Sequence, residues 1–120
     1  MIPAKRRVRK KKVQTPMGSG YGLHPGAYAD LDDIRGYIAQ DSPDAADRIM
    51  SEIFDAIRGL VPSPQHGHRR PDLSSRPLRF TLVREYLIAY APDEKPLWVV
   101  AVMHGRRNPH VMAAILRGRD

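Results

Sequence analysis

The sequence predicts an α+β fold, an antiparallel sheet of three to four strands with an N-terminal α-helical hairpin packed on one face. Three observations predict it. Two apolar stripes at helical spacing come first: Ala27, Leu31, Ile34 and Ile38, then Ala46, Ile49, Met50, Ile53, Phe54, Ile57 and Leu60. The link between them is very short, which implies two antiparallel helices. Three strand-like segments then follow as a run instead of alternating with helices, the pattern of an α+β protein.

Taken in order, residues 1–20 read as a basic, disordered N-terminal extension and residues 21–120 as one domain with one modest core. The extension carries Lys5, Arg6, Arg7, Arg9, Lys10, Lys11 and Lys12 with no acid. It reads either as an electrostatic arm for nucleic acid or as a solvated extension, including one translated upstream of a start at Met17. Tyr21 to His24 suits a short strand, and Pro25 suits the first turn of a helix that ends near Gln40. Tyr28 is expected to extend that helix's apolar stripe, and Asp30, Asp32 and Asp33 to favour its N-terminal dipole. Ser42 is a natural cap for the second helix, followed by Pro43 at the first helical position and Asp44 beside the dipole.

Pro62, Pro64, Gly67 and Pro71 interrupt regular structure between 61 and 77. Strands are expected over 78–83, 86–91 and 97–104, with the last, most continuously apolar one the most buried. The segment 91–96 reads as a hairpin loop, and His110 to Leu116 as a final short helix. On the first of these strands Leu78, Phe80 and Leu82 share one side and Arg79, Thr81 and Val83 the other. The helices are expected to cover the Leu78 side, leaving Arg79 on an open face with His104 near it.

Composition narrows the function classes. There is no cysteine, so disulfides and thiolate metal sites are excluded. No apolar run approaches the roughly 20 residues of a membrane span, and a soluble, cytoplasmic protein with no membrane partner is expected. Phosphate-binding glycine loops, nucleophile elbows and zinc-protease motifs are missing from the sequence. His66 and His68 have no nearby carboxylate, and no metal or cofactor is expected. The net charge of +7 is concentrated in the extension, since the other residues hold 13 basic and 13 acidic groups. Within that balance, residues 27–60 carry eight acids against three arginines, a net of −5. Residues 61–120 carry ten basic groups against five acids, a net of +5, and form the side better suited to a polyanion.

The chemistry left is an arginine group, Arg69, Arg70, Arg76, Arg79, Arg84, Arg106 and Arg107, with Tyr86, Tyr90 and His104. Arginines present forked donors suited to phosphate, and histidine moves protons near neutral pH. Such a set can cleave RNA, solvate an open face or pair with an acidic protein partner.

The ordered residues resemble the RelE/ParE superfamily of type II toxin–antitoxin systems. The resemblance covers roughly residues 21–110. It rests on Ala29-Asp30-Leu31-Asp32-Asp33-Ile34, Tyr37-Ile38-Ala39 and Ser42-Pro43-Asp44-Ala45-Ala46, then Leu60-Val61-Pro62-Ser63-Pro64 with Gly67. It continues in Leu78-Arg79, Tyr86-Leu87-Ile88-Ala89-Tyr90 and Val102-Met103-His104-Gly105-Arg106-Arg107. The resemblance implies a compact toxin neutralised by a cognate antitoxin from the same operon, whose C-terminal segment wraps the toxin. The Ser-Pro-Asp-Ala-Ala junction and the His-Gly-Arg-Arg ending look like the ParE side, which inhibits DNA gyrase. No tyrosine follows Tyr90, and Lys95 is the one lysine in 61–120, a departure from RelE-like members, which cut mRNA on the ribosome. On the ParE-like reading Arg79, Arg84, Tyr86, Arg106 and Arg107 contact the target or the antitoxin. On the alternative, a ribosome-dependent mRNA endonuclease, Arg79, Arg84, His104 and Arg106 are the catalytic candidates. A further alternative is an inactive member kept for antitoxin binding.

Overall fold

The computed structural model describes residues 20–119. The expected extension over 1–20 therefore lies, except for Gly20, outside the described residues. The elements run β1 (Tyr21–Leu23), α1 (Pro25–Ala39), α2 (Pro43–Leu60), β2 (Arg79–Val83), β3 (Tyr86–Ala91), β4 (Leu97–His104) and α3 (Pro109–Arg117).

The helical hairpin forms where its local signals place it. Ser42 Oγ accepts the Ala45 N–H at 3.1 Å, Pro43 opens α2 and Asp44 lies in its first turn. Ala46, Met50, Ile53, Ile57 and Leu60 make its buried stripe, and α1 contributes Ala27 and Leu31. Tyr28 departs from its expected place in the stripe, since it is 54% exposed. Asp30, Asp32 and Asp33 also depart from their expected role beside the dipole, since the first turn of α1 holds no acidic residue, and Asp30 serves elsewhere. Its carboxylate turns to the sheet, where it accepts the Val102 N–H at 3.0 Å and pairs with Arg119.

The sheet order is β1-β4-β3-β2. β2 with β3 and β3 with β4 are antiparallel, and β1 lies parallel to β4 with Tyr21 opposite Leu97. That parallel edge differs from the all-antiparallel expectation. Its cause is connectivity: the chain leaves β1 and returns beside it only after the helical hairpin and the β2–β3 hairpin.

Both faces of the sheet are covered. Under α1 and α2, Leu31, Ile53, Ile57, Ile88, Tyr90 and Val99 form one core. On the other face Leu73, Phe80, Trp98, Met103, Met112 and Leu116 form a second core beneath α3 and the segment leading to β2. The expected face assignment is therefore reversed. β2 pairs Arg79 with Tyr90, Thr81 with Ile88 and Val83 with Tyr86, which puts these three on the hairpin side. Leu78 and Phe80 instead serve α3, and no open face presents Arg79. With two covered faces, apolar residues fall on both sides of the strands, so alternation alone does not identify which side meets the hairpin.

Candidate partner-binding surface

One end of the sheet gathers Arg84, Tyr86, His104, Arg106 and Arg107, half of the ten singled-out residues. The β2–β3 turn is Arg84-Glu85, with Arg84 at φ +54°, in the left-handed region where glycine is usual. The turn docks on the loop after β4 through the Gly105 N–H, which donates to the Glu85 carbonyl at 2.7 Å. Arg84 reaches back to α2 and holds Glu52 with two bonds, 2.5 and 2.8 Å. This bidentate contact draws the Glu52 carboxyl below its ordinary pKa and raises Arg84.

Tyr86 and His104 are cross-strand partners beside this turn, with rings 5.6 Å apart in an edge-on arrangement. Burial, then the charge of Glu85 and the nearby Tyr37, raise the Tyr86 phenol. His104 Nδ1 accepts the Arg106 N–H at 3.2 Å, while its Nε2 lies 3.8 Å from the Glu85 carboxylate. A neutral ring that accepts at Nδ1 carries its proton on Nε2, facing Glu85. The ring thus props the loop in which Arg106 and Arg107 stand exposed. Among the described residues no carboxylate forms an ion pair with either arginine.

Arg79 lies elsewhere. It is opposite Tyr90, four residues along β3 from the Tyr86–His104 pair, or roughly 13 Å at strand rise. Its guanidinium donates to the Gly67 carbonyl at 2.7 Å, while the Tyr90 hydroxyl accepts the Gly67 N–H and donates to the Pro64 carbonyl. The expected nearness of Arg79 and His104 is therefore corrected. The pairing register carries them to opposite ends of β3, which neither strand's sequence encodes.

Arg70 is held by Asp72 at 2.9 Å, and Arg76 donates to the Leu116 and Arg119 carbonyls, closing the end of α3. Glu52, Glu85 and Tyr37 belong to the surface and were not singled out by sequence. Glu85 had an available signal, its place beside Arg84 in a two-residue turn, whereas Glu52 and Tyr37 come from distant helices.

Among the described residues no group of three or more His, Cys, Asp or Glu is arranged to hold a metal ion. Likewise no helix there is long and apolar enough to cross a membrane.

Comparison with known proteins gives the surface its context. Residues 21–109 match the family described as ParE toxin of type II toxin-antitoxin system, parDE. The chain is 30% identical over 103 residues to Toxin ParE2 in two Mycobacterium tuberculosis strains, CDC 1551/Oshkosh and ATCC 25618/H37Rv. That similarity covers 81% of this chain and 91% of each relative. It is also 33% identical over 89 residues to Putative toxin Y4kP of Sinorhizobium fredii, covering 68% of this chain and 84% of that protein.

Proposed function

We propose a function from one premise: this chain belongs to the ParE toxin family of type II toxin–antitoxin systems. On this reading the protein inhibits DNA gyrase by surface contact, and a cognate antitoxin neutralises it. The observation that carries the reading is the end of the sheet where exposed Arg106 and Arg107 have no carboxylate partner among the described residues, beside a histidine whose Nδ1 already holds the loop. Free cations on a propped loop suit recognition of an anionic surface. A proton shuttle needs a ring nitrogen presented to substrate, and His104 gives one nitrogen to its own backbone and turns the other toward Glu85.

The test is induction of the chain without antitoxin, with mRNA mapping and a purified-gyrase cleavage assay run in parallel. Gyrase-linked DNA breaks and growth arrest are expected, retained in His104→Gln and weakened in Arg106→Glu/Arg107→Glu. Codon-phased mRNA cuts lost in His104→Gln would replace this reading with ribosome-dependent cleavage. Neither breaks nor cuts would replace it with an inactive antitoxin-binding member.

A further inference from the structure

The loop between α2 and β2 is held tightly at His66-Gly67-His68. Five of the six backbone N–H and C=O groups of these residues are bonded. The His66 N–H donates to the Ser63 carbonyl at 3.0 Å, and His68 exchanges both bonds with Phe80 at 2.9 and 2.8 Å. The Gly67 N–H donates to the Tyr90 hydroxyl at 2.8 Å, and the Gly67 carbonyl accepts from Arg79 at 2.7 Å. Only glycine fits between the histidines, because a Cβ there would meet the Tyr90 hydroxyl at 2.7 Å and the Phe80 carbonyl oxygen at 2.8 Å.

The two imidazoles flank this anchored glycine and line one hollow of 490 Å³, together with Arg70, Phe80, Thr81 and Leu87. Both histidines are exposed. Among the described residues neither imidazole has a hydrogen-bond or ion-pair partner, whereas His24 caps α1 and His104 holds the Arg106 amide. Two unengaged imidazoles are thus carried to one place on a backbone that is already fixed.

We propose that His66 and His68 together bind one zinc ion, with water in its remaining positions. The reach suits a chelate, since residues one apart have Cα atoms at most about 7.6 Å from each other and zinc sits about 2.0–2.1 Å from each ligating nitrogen. The ligand type selects the cation: imidazole suits zinc and its borderline neighbours, whereas magnesium and calcium take oxygen ligands. Sequence analysis expects no metal because the pair has no carboxylate beside it, but an open site of two imidazoles and water needs none. Among the described residues no third His, Cys, Asp or Glu completes the set, so the site is open.

Charge permits a cation here. Arg70 lines the hollow, but Asp72 holds its guanidinium at 2.9 Å and offsets it. Arg69 adds an exposed cation next in sequence. With that charge nearby and two protein ligands only, the Kd should be on the order of 1–100 µM, far weaker than a four-ligand structural site. Prior anchoring of the backbone provides what affinity there is, since the metal orders little on binding. The unfolded chain lacks that anchoring, so zinc should favour the fold. The site does not depend on the toxin reading.

The probe is zinc alone, titrated calorimetrically into the full chain without a histidine tag and compared with magnesium. One zinc per chain is expected, with no binding of magnesium. His66→Ala and His68→Ala should each weaken zinc by about tenfold or more, and His110→Gln should not. Tyr90→Phe keeps both ligands but removes the hydroxyl that holds Gly67, and should weaken zinc by about threefold or more. Zinc at ten times its Kd should shift the folding equilibrium about tenfold, read as a higher urea midpoint that is lost in His66→Ala. A Kd above about 1 mM, full affinity in either alanine variant or in a folded Tyr90→Phe, or an unmoved midpoint would overturn the proposal. Half a zinc per chain with zinc-dependent dimerisation would overturn it in favour of a site shared between two copies.

Discussion

Asp30→Ala should destabilise the fold by about 3–5 kcal/mol, through polar contacts with the sheet. The reason lies in the shortness of β1. β1 pairs with β4 only from Tyr21–Leu97 to Leu23–Val99, so the β4 edge beyond Val99 has no strand beside it. Asp30 and Arg119 complete that edge with side chains. Asp30 Oδ2 accepts the Val102 N–H at 3.0 Å, and Arg119 donates to the Val100 carbonyl at 3.2 Å. The two side chains also clasp each other at 2.5 and 2.9 Å, with exposures of 19% and 17%. Removing the carboxylate leaves a buried N–H without an acceptor, costing about 1–3 kcal/mol. It also leaves a largely buried guanidinium uncompensated, a loss on the order of 3–5 kcal/mol when burial is complete and less at this exposure.

The assay is chemical denaturation of Asp30→Ala, Arg119→Met and the double variant. The midpoint should fall with little change in the denaturant slope. The double variant should be less destabilised than the sum of the singles, by about 1–3 kcal/mol, because deleting Arg119 removes the stranded charge. A loss below about 1 kcal/mol for Asp30→Ala, or additivity within about 0.5 kcal/mol, would refute the edge-completing role.

Three further outcomes follow from the packing. Ile53 is 0% exposed beneath the hairpin, so Ile53→Asp should cost several kcal/mol, about 3 or more, and normal melting by circular dichroism would show the α2 stripe is wrongly assigned. Arg84 sits at φ +54° and holds an exposed ion pair, so Arg84→Gly relieves about 1 kcal/mol of backbone cost while losing a contact of similar or smaller size. Arg84→Ala loses the contact without the relief, and a melting temperature for alanine equal to or above that of glycine would contradict this. Burial raises the phenols of Tyr86 and Tyr90, so their contribution to stability is complete below the unfolded-state value of about 10 and is lost as pH rises through the folded values. Urea midpoints should fall above about pH 10, and Tyr86→Phe/Tyr90→Phe should flatten that fall; an equally steep fall in the double variant would remove these phenols as its cause.

The helical hairpin was legible because its instructions are local. Ser42, Pro43 and Asp44 act within one turn, and the α2 stripe repeats often enough to define a face. The sheet was legible as a set of strands and not as a surface. Phe80 and Leu82 alternate with Arg79 and Thr81 as a half-buried strand would, yet the polar parity faces the hairpin. α3 explains this, since Met112 and Leu116 cover the second face and give Leu78 and Phe80 their burial. Long-range polar contacts were not legible at all. Asp30 and Arg119 are 89 residues apart, and each reads alone as an ordinary charge on a helix or tail.

Register decides more about function than the identity of the residues does. Arg79, Arg84, His104 and Arg106 make a persuasive phosphate-cleaving set when written together, but catalysis needs the base and the stabilising cation within about 3 Å of the reacting atoms. Arg79 lies roughly 13 Å along the sheet from His104 and is engaged by Gly67. Arg84 is engaged by Glu52, and His104 by the Arg106 amide. What the end of the sheet still offers is Arg106 and Arg107, both exposed and without a carboxylate partner among the described residues.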